Sequence, residues 1–300
     1  EQFNVTSYDA TAVAIMTLQA FAGMWINTFI VSVICLAGVK KKVLNSNEKI
    51  LLVLGCSRFA YLFISWLYAF LSIIYPHSLY VHPRLQLVVA IQSFFECYNL
   101  WVSVCLCGFY CIKIANFRNS FFIYLKVKID RIVPCLLLVA VLFSLVISIV
   151  AYDITDKVHC NNHNSTGRGS FWKASIKMDE HFFPSFFLTG FGYAFSFMAV
   201  IFSALLLLFS LWRHKRNMQR NSMKDLSMDA HIRAMRSILS FLVMYSINFV
   251  SLILKMVYAT QKGSSLMFLI VVFQYAFPGV HSLILIFSNP KLEKTLLRIL

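Results

Sequence analysis

Ile132-Val133-Pro134-Cys135-Leu136-Leu137-Leu138-Val139-Ala140-Val141-Leu142-Phe143-Ser144-Leu145-Val146-Ile147-Ser148-Ile149-Val150-Ala151-Tyr152 is the stretch that decides the fold. It runs from 132 to 152 without a charged side chain. As a helix it would extend about 31 Å at 1.5 Å per residue, which matches the hydrocarbon core of a bilayer. Its apolar residues are continuous, whereas a strand of a membrane barrel would alternate. Backbone groups cannot stay unpaired in lipid, so the segment must be helical.

Six further stretches read the same way. They are Ala10 to Val39; Ile50 to Tyr75, interrupted by Arg58; Leu85 to Ile112, interrupted by Glu96; His181 to Trp212; Ser237 to Leu254; and the apolar run between Gly263 and Pro290. The expected fold is an all-α membrane protein, one seven-helix transmembrane bundle over residues 1–300. The expected helices cover about 10–39, 50–75, 85–114, 132–152, 183–212, 235–258 and 265–288, and a short amphipathic helix over 290–300 lies on the inner leaflet. Composition agrees. Hydrophobic residues make up 59% and charged residues 13%, against roughly 45–50% and 25% in soluble chains. Mean hydropathy is +0.73. So few charges could not cover a water-facing surface of this size.

The net charge of +15 is one-sided. The segments at 40–49, 113–131, 213–236 and 289–300 hold 19 of the 27 Lys and Arg, and those on the opposite side hold 6. The positive-inside rule then places the N-terminus outside and the C-terminus in the cytoplasm. The inner face carries +14 and the outer face is neutral. A basic inner face suits anionic lipid and acidic cytosolic partners, and nucleic acid is not expected. Two sequons, at Asn4 and Asn164, fall on the outer side, where glycosylation occurs. No basic segment precedes the first helix, so no cleavable signal is expected. Seven of eight cysteines lie within the spans and only Cys160 lies in an outer loop. Cys97 is about 18 Å down its helix, so a bridge between the two is not expected.

Chemistry of other kinds finds little support. Phosphate-cradling Gly loops and zinc-type His/Cys pairs are absent. Cys105, Cys107 and Cys111 have no His or carboxylate beside them and read as small packing residues. No enzyme activity, metal or cofactor is expected. A transporter would show internal repeats and several buried charges. An odd helix count and only Arg58, Glu96 and Lys255 in the spans argue against it. A signalling receptor fits better.

The third span ends Phe109-Tyr110-Cys111-Ile112-Lys113-Ile114-Ala115-Asn116-Phe117. This run closely resembles the type 2 (bitter) taste receptors. So do Leu54-Gly55-Cys56-Ser57-Arg58, Leu211-Trp212-Arg213-His214, Ala230-His231-Ile232-Arg233 and Phe277-Pro278-Gly279-Val280-His281-Ser282, in order along nearly the whole chain. Rhodopsin-like signatures are absent. A pheromone-type chemoreceptor is the nearest alternative, and a seven-helix transporter is the alternative of another class.

The resemblance implies a G-protein-coupled receptor that binds small organic agonists among the outer halves of its helices. Its partner is a heterotrimeric G protein of the gustducin or inhibitory class, at the plasma membrane. The family's binding positions map onto Val88, Val89, Gln92, Glu96, Tyr245, Asn248, Leu252 and Val271. Gln274 joins them by spacing, one turn from Val271. The inner face offers Lys113, Asn116, Phe117, Arg213, His214, Lys215, His231 and Arg236 to the G protein. Asn27, Arg58, Pro278 and His281 are the packing and activation candidates. Arg58 must bond to neighbouring helices or take part in activation, with Asn27 as a candidate neighbour. Pro278 should kink its helix.

This chain departs from the family in the third helix. Where the family commonly has a Trp and then an Asn-His pair, it has Gln92, Glu96 and Cys97. Glu96 is the sole acid within the expected spans. It is read as the partner of a cationic or strongly hydrogen-bond-donating ligand, against a purely structural role. Lys255 is its candidate resting partner, although its place near the outer surface argues against a direct pair.

Overall fold

The computed structural model of the chain describes residues 7–79, 81–114, 120–162, 182–220, 226–258 and 265–299. Seven long helices follow one another: α1 (Ser7–Lys41), α2 (Ser46–Ile74), α3 (Arg84–Ile114), α4 (Ser120–Asn162), α5 (Phe182–Arg220), α6 (Leu226–Tyr258) and α7 (Ser265–Ser288). A single helical turn, Pro76–Leu79, sits between α2 and α3, and α8 (Pro290–Ile299) follows α7. No strand occurs among the described residues. Each of the seven is long and apolar enough to cross a membrane. The chain is therefore a multi-pass membrane protein.

Several helices continue past the charge-free stretches that announce them. α4 extends from 120 to 162 around the 132–152 run. Lys126, Lys128, Asp130 and Arg131 precede that run, and Asp153, Asp156 and Lys157 follow it, all within the helix. Charge ends the lipid-compatible segment but does not end a helix. Ion pairs such as Lys157–Asp153, four residues apart at 2.7 Å, suit a helix in water.

The packing order closes a ring. α1 lies on α2 and α7, α2 on α3, α3 on α5, α5 on α6 and α6 on α7. α4 packs mainly against α3 and turns the rest of its surface outward, with Leu138 60% and Ile149 68% exposed. Such apolar exposure belongs against lipid. α1 and α7 touch where Gly23 faces Gly279. A Cβ on Gly279 would stand 3.3 Å from Gly23 Cα, and one on Gly23 would stand 2.6 Å from Leu62 Cδ1. Small residues bring backbones together where lipid offers no hydrophobic drive.

Two ends follow from this topology. One end holds the start of α1 and the turn between α2 and α3; the other holds the α1–α2 turn and α8. At the second end the Asn45 N–H donates to Glu48 at 3.1 Å, closing the first turn of α2. The other Glu48 oxygen accepts from Lys291 of α8 at 2.7 Å. Leu292 is buried in a cluster with Ile34, Ile50 and Ile286, so α8 is fastened by its apolar face. Leu297 and Ile299 remain outward, as an interfacial helix requires.

Candidate functional site

Between the helices lies a cavity of about 40 Å³, within about 450 Å³ of empty space that includes open solvent. α3 supplies Glu96, Asn99, Leu100 and Ser103 to its wall. Asn99 and Leu100 lie three and four residues from both Glu96 and Ser103, so the four share one face of the helix. α6 supplies Tyr245, Asn248 and Leu252; α7 supplies Gln274, Phe277 and Pro278; α2 supplies Arg58 and Tyr61. Five of the nine ligand candidates thus meet in one space: Glu96, Tyr245, Asn248, Leu252 and Gln274. Val88, Val89 and Gln92 lie half-buried on α3 nearer its start and are not part of that wall. Val271 packs instead against a core of Met16, Ala20, Tyr61 and Tyr275.

Glu96 is tied on two sides. Lys255 Nζ of α6 is 3.4 Å from Oε2, and the Tyr193 hydroxyl of α5 donates to Oε1 at 3.4 Å. The Glu96 side chain is 14% exposed and that of Lys255 33%. From the sequence, Lys255 is expected too near the outer surface for a direct pair; the contact with Glu96 overturns that expectation. Depth counted along each helix from its own end leaves out the reach of the side chains. A lysine carries its charge at the tip of a four-carbon stem, well away from its own backbone.

Arg58 forms the cavity floor and is 1% exposed. Nη1 donates to Ser282 Oγ at 2.8 Å, and Ser282 Oγ donates to Asn27 Oδ1 at 2.8 Å. Nη2 donates to Ser103 Oγ at 3.4 Å and to His281 Nδ1. Arg58 therefore does bond to its neighbours, and reaches Asn27 through Ser282. With Nδ1 accepting, His281 must carry its proton on Nε2. The His281 ring lies 4.6 Å from Phe241 and 5.5 Å from Phe277. Phe241 and Phe277 also flank Tyr245, at 5.7 and 6.2 Å. An aromatic chain thus joins the cavity wall to the Arg58 network. α7 remains helical through Pro278, which borders the cavity.

Tyr61, Asn99, Leu100, Ser103, Tyr193 and Phe277 were not among the candidates. Asn99 and Ser103 could have been found, since they continue the helical face begun by Glu96. Tyr193 had no comparable signal, because its role depends on how α5 is rotated.

At the far end, Lys113 pairs with Asp130 at 2.7 Å, and Arg213 is exposed. Asn116 and Phe117 lie outside the described residues, as do Asn4 and Asn164. His214 and Lys215 fall on α5 and His231 and Arg236 on α6, with their side chains outside the described set. Cys97 is a buried free thiol, and the Cys107 thiol lies 3.7 Å from the Val200 carbonyl. Among the described residues no group of His, Cys, Asp and Glu could hold a metal ion.

Residues 5–300 match the family described as taste receptor protein (TAS2R). Similar curated proteins include taste receptor type 2 member 114 of Mus musculus, 29% identical over 99% of this chain and 95% of its own length. Taste receptor type 2 member 40 of Gallus gallus is 30% identical over 98% of this chain and 95% of its own. Taste receptor type 2 member 2 of Homo sapiens is 28% identical over 96% and 95%.

Proposed function

The chain belongs to the taste receptor type 2 family, and from that premise we propose that it is a bitter taste receptor of the plasma membrane. The family is one of G-protein-coupled receptors and is not enzymatic. In this reading the start of α1 faces outside, α8 lies on the cytoplasmic leaflet, and Asn4 and Asn164 are glycosylated. A small organic agonist occupies the cavity between α2, α3, α6 and α7. The basic ends of α3, α5 and α6 dock a gustducin-like G protein. What supports this most is the convergence of Glu96, Tyr245, Asn248, Leu252 and Gln274, from three helices, on one cavity.

The arrangement suggests how binding is felt. The Glu96–Lys255 pair ties α3 to α6. A ligand cation that takes over Glu96 releases Lys255 and loosens that tie. Tyr245, against the same ligand, passes the change through Phe241 and Phe277 to His281 and Arg58. An agonist shifts the equilibrium only by its differential affinity for the two helix arrangements.

The test is a bitter-compound panel applied to cells expressing the chain with a gustducin-like G protein. Compound-dependent activation that weakens in Tyr245→Ala and Asn248→Ala supports the proposal. Compound uptake without G-protein activation would return the chain to the transporter reading.

A further inference from the structure

The two ends of the cavity differ in how their charges are balanced. Glu96, on one side, is matched by Lys255. Arg58, at the floor, is bonded among the described residues only to serine hydroxyls and a histidine ring. Ser103, which touches Arg58, is seven residues from Glu96, a rise of about 10 Å along α3. Glu96 is thus too far along the helix to neutralise the guanidinium and is already paired. Among the described residues the buried charged side chains are Arg58 and Glu48, and Glu48 has Lys291. Arg58 is the one left without an opposite charge among the described residues.

A second observation points the same way. The Gln274 amide nitrogen and the Tyr245 hydroxyl are buried and have no hydrogen-bond partner, and both residues line the cavity. Amide N–H and hydroxyl groups are donors, and a buried donor left unsatisfied is costly. A buried cation without a counter-charge is costlier still. A single occupant satisfies all of these demands only if it accepts hydrogen bonds and is negative.

The geometry points to an anion site at the floor of the cavity, formed by Arg58 with donors from Tyr245 and Gln274. Its occupant is a compact monovalent anion: a halide ion, or the carboxylate of a bound ligand. The halide form stands without the receptor reading of the cavity. The ligand form rests on that reading and deepens it by naming an acidic ligand class.

Purified full-length chain in lipid nanodiscs, without ligand or G protein, is unfolded thermally in sodium chloride, bromide and gluconate at equal ionic strength. A saturable rise of several degrees with chloride and bromide, absent with gluconate, is expected of the halide form. Ser103→Asp places a carboxylate beside Arg58 and should make stability independent of halide. Gln274→Leu should raise the halide concentration needed for half of the shift by about tenfold, and covers the case in which the aspartate variant does not fold. In cells, paired carboxylic acids and their methyl esters are compared as agonists. Acids more potent than their esters by tenfold or more, with the preference lost in Gln274→Leu, would identify the ligand as the source of the anion. Stability equal in all three salts, together with acids no more potent than esters, overturns the site.

Discussion

Replacing each partner of the Glu96–Lys255 pair should move cationic agonists in opposite directions. Glu96→Gln keeps the shape and removes the acceptor charge. A charge-assisted hydrogen bond contributes about 1.5–3 kcal/mol. Displacing Lys255, whose side chain is 33% exposed at 3.4 Å, costs about 0–1 kcal/mol, as for partly solvated pairs. With the displacement cost at the middle of that range, the net loss for a cation is about 1–2.5 kcal/mol, or roughly five- to seventyfold in potency. Neutral agonists should shift less than about threefold. Lys255→Gln removes the competitor and leaves Glu96 partly buried and unpaired. Cationic agonists should then gain up to about fivefold, the displacement cost no longer being charged against them. The assay is a concentration–response series for matched amine and neutral compounds, with surface expression measured in parallel. A merely structural pair would lose potency alike in both variants and for both ligand types. That outcome would refute the reasoning.

Three further expectations follow from other parts of the molecule. Gly279→Val adds a side chain where even a Cβ stands 3.3 Å from the Gly23 backbone; overpacking of about 1–3 kcal/mol should cut surface expression sharply, while Val280→Ala one position on should not. Glycosidase treatment should increase gel mobility, and the shift should vanish only when Asn4→Gln and Asn164→Gln are combined; labelling on intact cells of an epitope inserted between Arg220 and Lys224 would contradict the orientation. Cys160→Ser should reach the surface and signal, and mild reductant should leave the response intact, because the Cys97 thiol is free and buried; loss of signalling in both conditions would reveal a bridge.

The fold was legible because lipid imposes a coarse and unforgiving rule. Some twenty apolar residues without charge can only be a spanning helix, and seven such stretches are plain in the chain. What could not be read was anything set by register between helices. α4 continues well past both ends of its apolar run because its flanking charges meet water, where a helix can persist. The Glu96–Lys255 contact joins residues 159 apart in sequence, and only the relative depth of α3 and α6 decides it. A charge in the middle of a span marks Arg58 as needing partners, but Ser282, which links it to Asn27, carries no mark in the sequence that separates it from any other helical serine. In the cavity, residues on one helical face were within reach of periodicity, whereas Tyr61 and Tyr193 come from helices whose rotation the pattern leaves open.

The central claim is that ligand in this cavity drives a G protein, and nucleotide exchange in a reconstituted system tests it most directly. The purified chain in nanodiscs is mixed with a gustducin-like heterotrimer, and the rate of guanine-nucleotide exchange is followed as bitter compounds are added. The account predicts that particular compounds accelerate exchange, and that Tyr245→Ala abolishes the acceleration without lowering the amount of folded protein. Exchange unmoved by every compound, in a preparation whose thermal stability those compounds nonetheless raise, would contradict it.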